Sequence, residues 1–337
     1  MSLSDKSSIV NKNEFFNSYW SELDSNGWRS AVLHTWKDLP EKIESDVDYV
    51  IADCNPHEML THLCSYCIKQ GWRLAQVIEH EPCAYYCTCI QYGKMFETIS
   101  LDVTWNYRRR GHSLINGKTL LFGRKKAAGK SFWVPSPGAE AMYIITKAVA
   151  KSKDFDVVKG RLKELVDEDK SDIQRFLVEV FSFYSPTDEA PEDLLRRLEA
   201  WFYSNPYFKK IRNRRRFGKN EFLLYLRRLF HPTGLCIYYN QVILENEILN
   251  KVISCISPFF RRSIYVRSKW PFTLPKIVLD IIRTSLVIDC AIGKRIFNTR
   301  NFCRMPSSVT LDDQVYCVIN YMEQRVKKRI CKINTKR

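Results

Sequence analysis

The sequence predicts an α+β fold. Short β-forming runs crowd the chain up to Val103, and helical periodicity takes over from Pro137 to about Leu229 with no internal repeat. Of the 337 residues 45% are hydrophobic, with only 12 Gly and 13 Pro, which suits about two packed domains and excludes disorder, collagen-like repeats and low-complexity linkers.

The elements follow in order. Glu14 to Asn26 sets aromatic and Leu residues at helical spacing and closes on Asn-Gly, which predicts a helix stopped at Gly27. Trp28 to Leu33 and Val47 to Ala52 are strand-like. Between Pro56 and Gln70 a Pro start and a Gly71 stop frame a helix. Arg73 to Glu79, Ala84 to Gln91 and Thr98 to Val103 cluster β-formers, with a turn at Tyr92 to Lys94, and extend the same sheet. A basic loop leads to a helix over Pro137 to Ser152. Arg161 to Val166, Ser171 to Tyr184 and Pro191 to Tyr203 read as three separate helices. Beyond His231 come a strand-like run at Leu235 to Tyr239, a helix over Val242 to Ile256 and a buried or surface-lying helix over Ile277 to Ile292. Asp280, Arg283 and Asp289 interrupt that last stretch, and it is too short to cross a bilayer. The expected division is a flexible N-terminus over 1–13, a first domain over 14–136, a helical domain over 137–230 and a basic region over 231–337.

Residues 1–13 are polar and lack the apolar core of a secretory signal, so a cytoplasmic location is expected. Twelve cysteines at irregular spacing fit reduced thiols better than a disulfide framework. Cys64 and Cys67 have the spacing of zinc ligands but lack a second such pair, and small buried hydrophobes explain the cysteines better.

The net charge of +16 is unevenly placed: residues 205–337 hold 27 Lys+Arg against 8 Asp+Glu. Such a region concentrates its field on polyanions, whether nucleic acid, anionic lipid headgroups or phosphorylated glycans. Tyr207 to Lys219 interleaves basic and aromatic residues, and Arg261, Arg262 and Arg325 to Arg329 extend the basic character. This pattern suits stacking on nucleic-acid bases or lying on an anionic membrane.

Asp46 and Asp48 stand two apart in a β-forming run, where residues i and i+2 share a face. Side-by-side carboxylates repel unless a cation lies between them, and oxygen-only ligation is what Mg²⁺ prefers. Asp102, in the apolar strand Ile99 to Val103, is a candidate third ligand or base. Three such acids can hold one or two Mg²⁺ ions, neutralise a nucleoside triphosphate and activate a hydroxyl; the bland alternative is a solvated strand end.

With these acids in view, the chain resembles the DNA polymerase β-like nucleotidyltransferases, whose signature is an apolar strand ending in Gly-Ser, about ten residues, Asp-x-Asp, and a later acid in a strand. Here Ala31-Val32-Leu33-His34-Thr35 precedes ten residues and Asp46-Val47-Asp48, so His34 stands for the Gly and Thr35 for the Ser. More narrowly, residues 28–151 resemble nucleotidyltransferase-like proteins of bacterial polysaccharide and lipopolysaccharide gene clusters. The residues that carry this are Leu39-Pro40, Gly71-Trp72-Arg73-Leu74, Glu79-His80-Glu81, Leu101-Asp102, Tyr107-Arg108-Arg109 with Gly111, Gly123-Arg124, and Phe132 to Pro135 leading to Glu140 and Lys147. The resemblance implies a mixed sheet with flanking helices, Mg²⁺-dependent nucleotidyl transfer, and a sugar, sugar-phosphate or glycan acceptor. It also implies phosphate binding by Thr35, Ser45, Arg108, Arg109, Arg124, Lys147 and Lys151, at a site peripheral to the inner membrane.

In many relatives the C-terminal part looks like a thymidylate-kinase domain, introduced by a segment similar to Leu229 to Leu235. There is no Gly from Leu235 to Ile292, so a phosphate loop is absent there and a degenerate α/β region is expected. Gly123 to Ser131 imitates such a loop but has five residues between its glycines rather than four. Two other readings stand beside the transferase: a binding module without turnover that docks to membrane or glycan-assembly enzymes, and a transferase acting on RNA ends, with nucleic acid the weaker expectation.

Overall fold

The structure is a computed structural model that describes residues 10–43, 46–92, 96–109, 112–183, 186, 188–213, 235–238, 254, 262–266, 285–289, 302–304 and 311–334. Its first helix, α1 (Lys12–Ser25), opens on a reciprocal cap: Asn11 accepts from the Glu14 amide, and the Glu14 carboxylate accepts from the Asn11 amide. Gly27, with φ of 72°, takes the left-handed conformation that turns the chain out of the helix. After β1 (Ser30–Val32) and β2 (Val47–Ile51), α2 (Pro56–Lys69) repeats the device with Asn55, Glu58 and an N-terminal Pro. Then β3 (Arg73–Glu81), β4 (Ala84–Tyr92) and β5 (Phe96–Thr104) complete a five-stranded sheet in the order β1-β2-β5-β4-β3. Only β2 and β5 pair in parallel, so the sheet is mixed.

Alternation along these strands divides the core into two. Val32, Val47, Tyr49, Ile51, Leu101 and Val103 face α1 and α2, where Tyr19 and Tyr49 join hydroxyls at 2.8 Å and Trp20 meets the Tyr49 ring edge-on. The residues between them in sequence, Ala31, Leu33 and Val50, face the other way, onto α4 (Pro137–Ala150) and the helices behind it. Asp46 and Asp48 share the parity of Val50, and Asp102 alternates with Leu101 and Val103. The acids therefore lie on the α4 side.

The segment expected as a basic loop folds instead into a hairpin of β6 (Asn106–Arg109) and β7 (His112–Asn116), the short helix α3 (Gly117–Leu121), and a second hairpin of β8 (Lys125–Lys126) and β9 (Trp133–Val134). The imitation phosphate loop is thus the turn of a hairpin. The helices expected over Arg161 to Val166 and Ser171 to Tyr184 follow one another within α5 (Asp156–Phe181), with the break between them where Asp169 leaves helical geometry (φ −157°, ψ 83°) and its carboxylate accepts from the Ser171 hydroxyl and the Asp172 amide. The helices α6 (Pro191–Ser204) and α7 (Pro206–Asn213) follow, the first of them where the sequence places it.

In the C-terminal region β10 (Leu235–Tyr238), β11 (Arg262–Val266), β12 (Ser285–Asp289) and β13 (Phe302–Arg304) form a wholly parallel sheet in the order β11-β12-β10-β13. The apolar run Ile277 to Ile292, expected as a helix, carries strand β12; a short apolar run without alternation does not distinguish a strand from a helix. The helix expected over 242–256 lies almost wholly outside the described residues. The last helix, α8 (Leu311–Asn334), packs on β3 and α2, and its Val326 and Ile330 join the first core. Arg73 of β3 ties it down through Tyr316, Asn320 and Glu323.

Candidate metal centre

The parallel pairing of β2 with β5 sets Asp48 directly opposite Asp102. Asp46, two residues before Asp48, reaches the same point, and one ligand oxygen from each of the three acids lies within 4.8 Å of the others. This all-oxygen donor set suits a hard divalent cation such as Mg²⁺. Bringing the acids together raises the pKa of Asp46, through burial first and then the charges of Asp48 and Asp102.

Three basic side chains face the acids. Burial would raise the pKa of Asp48, but His34, whose Nε2 is 2.6 Å from Oδ2, and Lys147, whose Nζ donates to the same oxygen at 2.8 Å, hold it well below the usual carboxylate range. Lys147 also lies against His34 Nε2. A ring nitrogen that donates to Asp48 cannot accept from Lys147, so both basic groups depend on the one carboxylate oxygen. On the other side His80 Nε2 stands 2.8 Å from Asp102 Oδ1. Burial would lower the pKa of His80, but the Asp102 charge and hydrogen bond outweigh it and the pKa is raised. His80 owes its aim to a register irregularity: Glu79 pairs with Tyr85 and Glu81 with Ala84, which leaves His80 as the extra residue of a bulge.

The turn after β1 is fastened from behind. Thr35 has φ of 52°, an uncommon conformation for a β-branched residue, and its hydroxyl donates to the His34 carbonyl at 2.8 Å. The next residue, Trp36, donates its indole N–H to Glu140, which is 1% exposed and forked by Arg161 at 2.7 and 2.9 Å. Lys37 and Arg161 both reach Glu164. These contacts fix His34 and Thr35 to α4 and α5.

The other candidate residues divide. Lys151, one turn beyond Lys147, has its pKa lowered by burial and then by Lys147, and it feels the charges of Asp48 and Arg109. Lys151 caps α4 one turn beyond Lys147, and Arg109 stands two residues after Tyr107, whose ring meets Tyr143 of α4 at 5.1 Å, so the three basic residues line one side of the acids. Arg108 is half-buried, and its Nε has no hydrogen-bond partner among the described residues. Arg124 does not join the group: it donates to the Ser30 carbonyl at 2.7 Å and lies over the Trp133 ring, with Asp24, Arg29 and Asp53 as its charged neighbours. Ser30 is four residues of extended chain from His34, about 13 Å. Ser45 lies outside the described residues. Cys67 and Cys89 bring buried sulfurs to 3.5 Å, and among the described residues the three Asp are the one grouping of His, Cys, Asp and Glu that could hold a metal ion.

Comparison of the chain with protein-family models and with curated proteins found no match. The roles of His34 and His80 were not visible in the sequence. His80 does stand in the Glu-His-Glu segment that contributes to the resemblance, but nothing local marks it as a partner of an acid 22 residues away.

Proposed function

We propose that the protein is a Mg²⁺-dependent nucleotidyltransferase acting on a sugar or sugar-phosphate acceptor in cell-envelope polysaccharide synthesis. The observation that carries this reading is the convergence of Asp46, Asp48 and Asp102 from two adjacent strands. The polymerase β-like fold is supported by the mixed sheet that places two of these acids on parallel neighbours. The kinase-like reading of the C-terminal region is supported by its four parallel strands.

In this reading Asp46 and Asp48 hold the ion, and Asp102 completes the ligand set or takes the proton of the acceptor hydroxyl. The ion would screen negative charge on the phosphates and favour attack at the α-phosphorus. Thr35 supplies a hydroxyl, and Lys147, Lys151 and Arg109 supply cations to the departing phosphates. Among the described residues no helix is long and apolar enough to cross a membrane. The basic C-terminal region would hold the protein at an anionic membrane surface, where lipid-linked acceptors are assembled.

Calorimetric titration of ATP, CTP, GTP and UTP with Mg²⁺ tests the proposal. Micromolar binding of one nucleotide, lost in Asp46→Asn/Asp48→Asn, is the expected result. No binding of any nucleotide would leave the second reading, a module without turnover. What favours that reading is the pair of basic groups already placed on Asp48.

A further inference from the structure

Asp48 Oδ2 is committed twice, to His34 at 2.6 Å and to the Lys147 ammonium at 2.8 Å. A cation shared by the three acids would use the same small set of oxygens, all within 4.8 Å of one another. An ammonium and a dication on one carboxylate repel strongly in a site where Asp48 and Lys147 are only 17% and 19% exposed. His34 is fastened through the Trp36–Glu140–Arg161 contacts. Lys147 is different. Its backbone belongs to the well-buried helix α4, but among the described residues the ammonium is held by Asp48 and the face of Tyr143, 5.3 Å away, with the donating His34 nitrogen pressed against it. A flexible four-carbon stem lets that ammonium move without moving the helix. Lys151 and Arg109 offer the place to go: Lys151 caps α4 one turn beyond Lys147, and Arg109 follows two residues after Tyr107, whose ring meets Tyr143 of α4 at 5.1 Å, so phosphate oxygens docked there would lie within reach of the Lys147 ammonium as well.

We propose that Lys147 is a resident counter-ion that keeps a divalent cation off Asp48 until a phosphorylated ligand on the Lys151–Arg109 rim draws the ammonium away, so that metal and phosphate enter together. The proposal rests on the metal-centre reading and adds to it an obligatory coupling between two ligands.

The test is Mn²⁺ titration of the full chain, with no nucleotide present, followed by calorimetry. Lys147→Met should bind Mn²⁺ about ten-fold or more tighter than the wild type, Lys147→Arg should bind as the wild type does, and Lys147→Met/Asp48→Asn should lose the gain. Inorganic phosphate should tighten Mn²⁺ binding to the wild type and leave Lys147→Met unchanged, with protein-free titrations removing phosphate's own hold on the ion. The phosphate arm needs only wild-type protein, so it decides the matter even where a variant does not fold. Equal or weaker Mn²⁺ binding by folded Lys147→Met, or no effect of phosphate on the wild type, overturns the proposal. In that case a wild-type affinity lost in Asp46→Asn/Asp48→Asn leaves the metal centre standing. Absence of Mn²⁺ binding in every form overturns both.

Discussion

Asp46 is an acid that the fold makes harder to ionise. Burial and the charges of Asp48 and Asp102 raise its pKa, whereas its neighbour Asp48 is held low by His34 and Lys147. A carboxylate whose folded pKa exceeds its unfolded value binds more protons in the folded state across the interval between the two, so stability falls as pH rises through that interval and the full penalty is present above it. Asp46→Asn removes the penalty. At neutral pH the variant should be more stable than the wild type by a few tenths to about 1 kcal/mol, a small figure because solvent screens a partly exposed group. The gain should shrink as pH is lowered toward the ordinary carboxylate range. Thermal melts at two pH values check this, and a variant that melts below the wild type at neutral pH would contradict it. The same melts with Mg²⁺ and inorganic phosphate added together should stabilise the wild type and not the variant, since the ion relieves the repulsion that Asn has already removed. A stabilising substitution that abolishes ligand binding is the usual sign of a residue kept for function.

Among the elements, legibility followed how local the signal was. The helices α1, α2 and α4 are written in caps, a Pro start and Gly stops, and the five strands of the first sheet in β-forming runs between turns. Asp46 and Asp48 were legible as neighbours because strand parity is local; that β2 and β5 would pair in parallel with Asp48 opposite Asp102 was not, since register is set by the whole sheet. The hairpin of β6 and β7 was hidden by polar strands such as Asn106 to Arg109, whose pairing owes little to apolar alternation. Nor did α8 stand out, although its docking matters: it covers β3, which lies at the edge of its sheet, and places Val318 and Ile319 at 0% exposure. Ile319→Ala should therefore destabilise the chain by about 2–5 kcal/mol and speed amide exchange along Leu74 to Val77. Loss of stability with unchanged exchange in β3 would show that α8 is not what protects that edge.

For the whole molecule the decisive asymmetry is charge. The net of +16 arises from residues 205–337, while the acid cluster lies in the mixed sheet of the first half. A chain that gathers negative charge in one cluster and positive charge elsewhere is suited to hold a polyanionic surface with one part and a divalent cation with the other. Lys209, Lys210 and Arg212 of α7 and Arg325, Lys327 and Lys328 of α8 belong to the basic part. Not every one is available to a partner, since Lys327 already pairs with Glu323 at 2.7 Å. Three engaged basic residues at a surface rich in acidic lipid supply about 3 kcal/mol, roughly a hundred-fold in partitioning. Vesicles containing phosphatidylglycerol should accordingly sediment the protein at low salt. The bound fraction should fall steeply toward 0.5 M NaCl, about where the Debye length shrinks below 5 Å, and neutral phosphatidylcholine vesicles should leave the protein in solution. Equal binding to both kinds of vesicle would mean that apolar contact, not charge, holds the protein to lipid. No binding to either, with tight and salt-sensitive binding to single-stranded RNA, would reassign the basic region to a nucleic-acid acceptor and with it the substrate of the acid cluster.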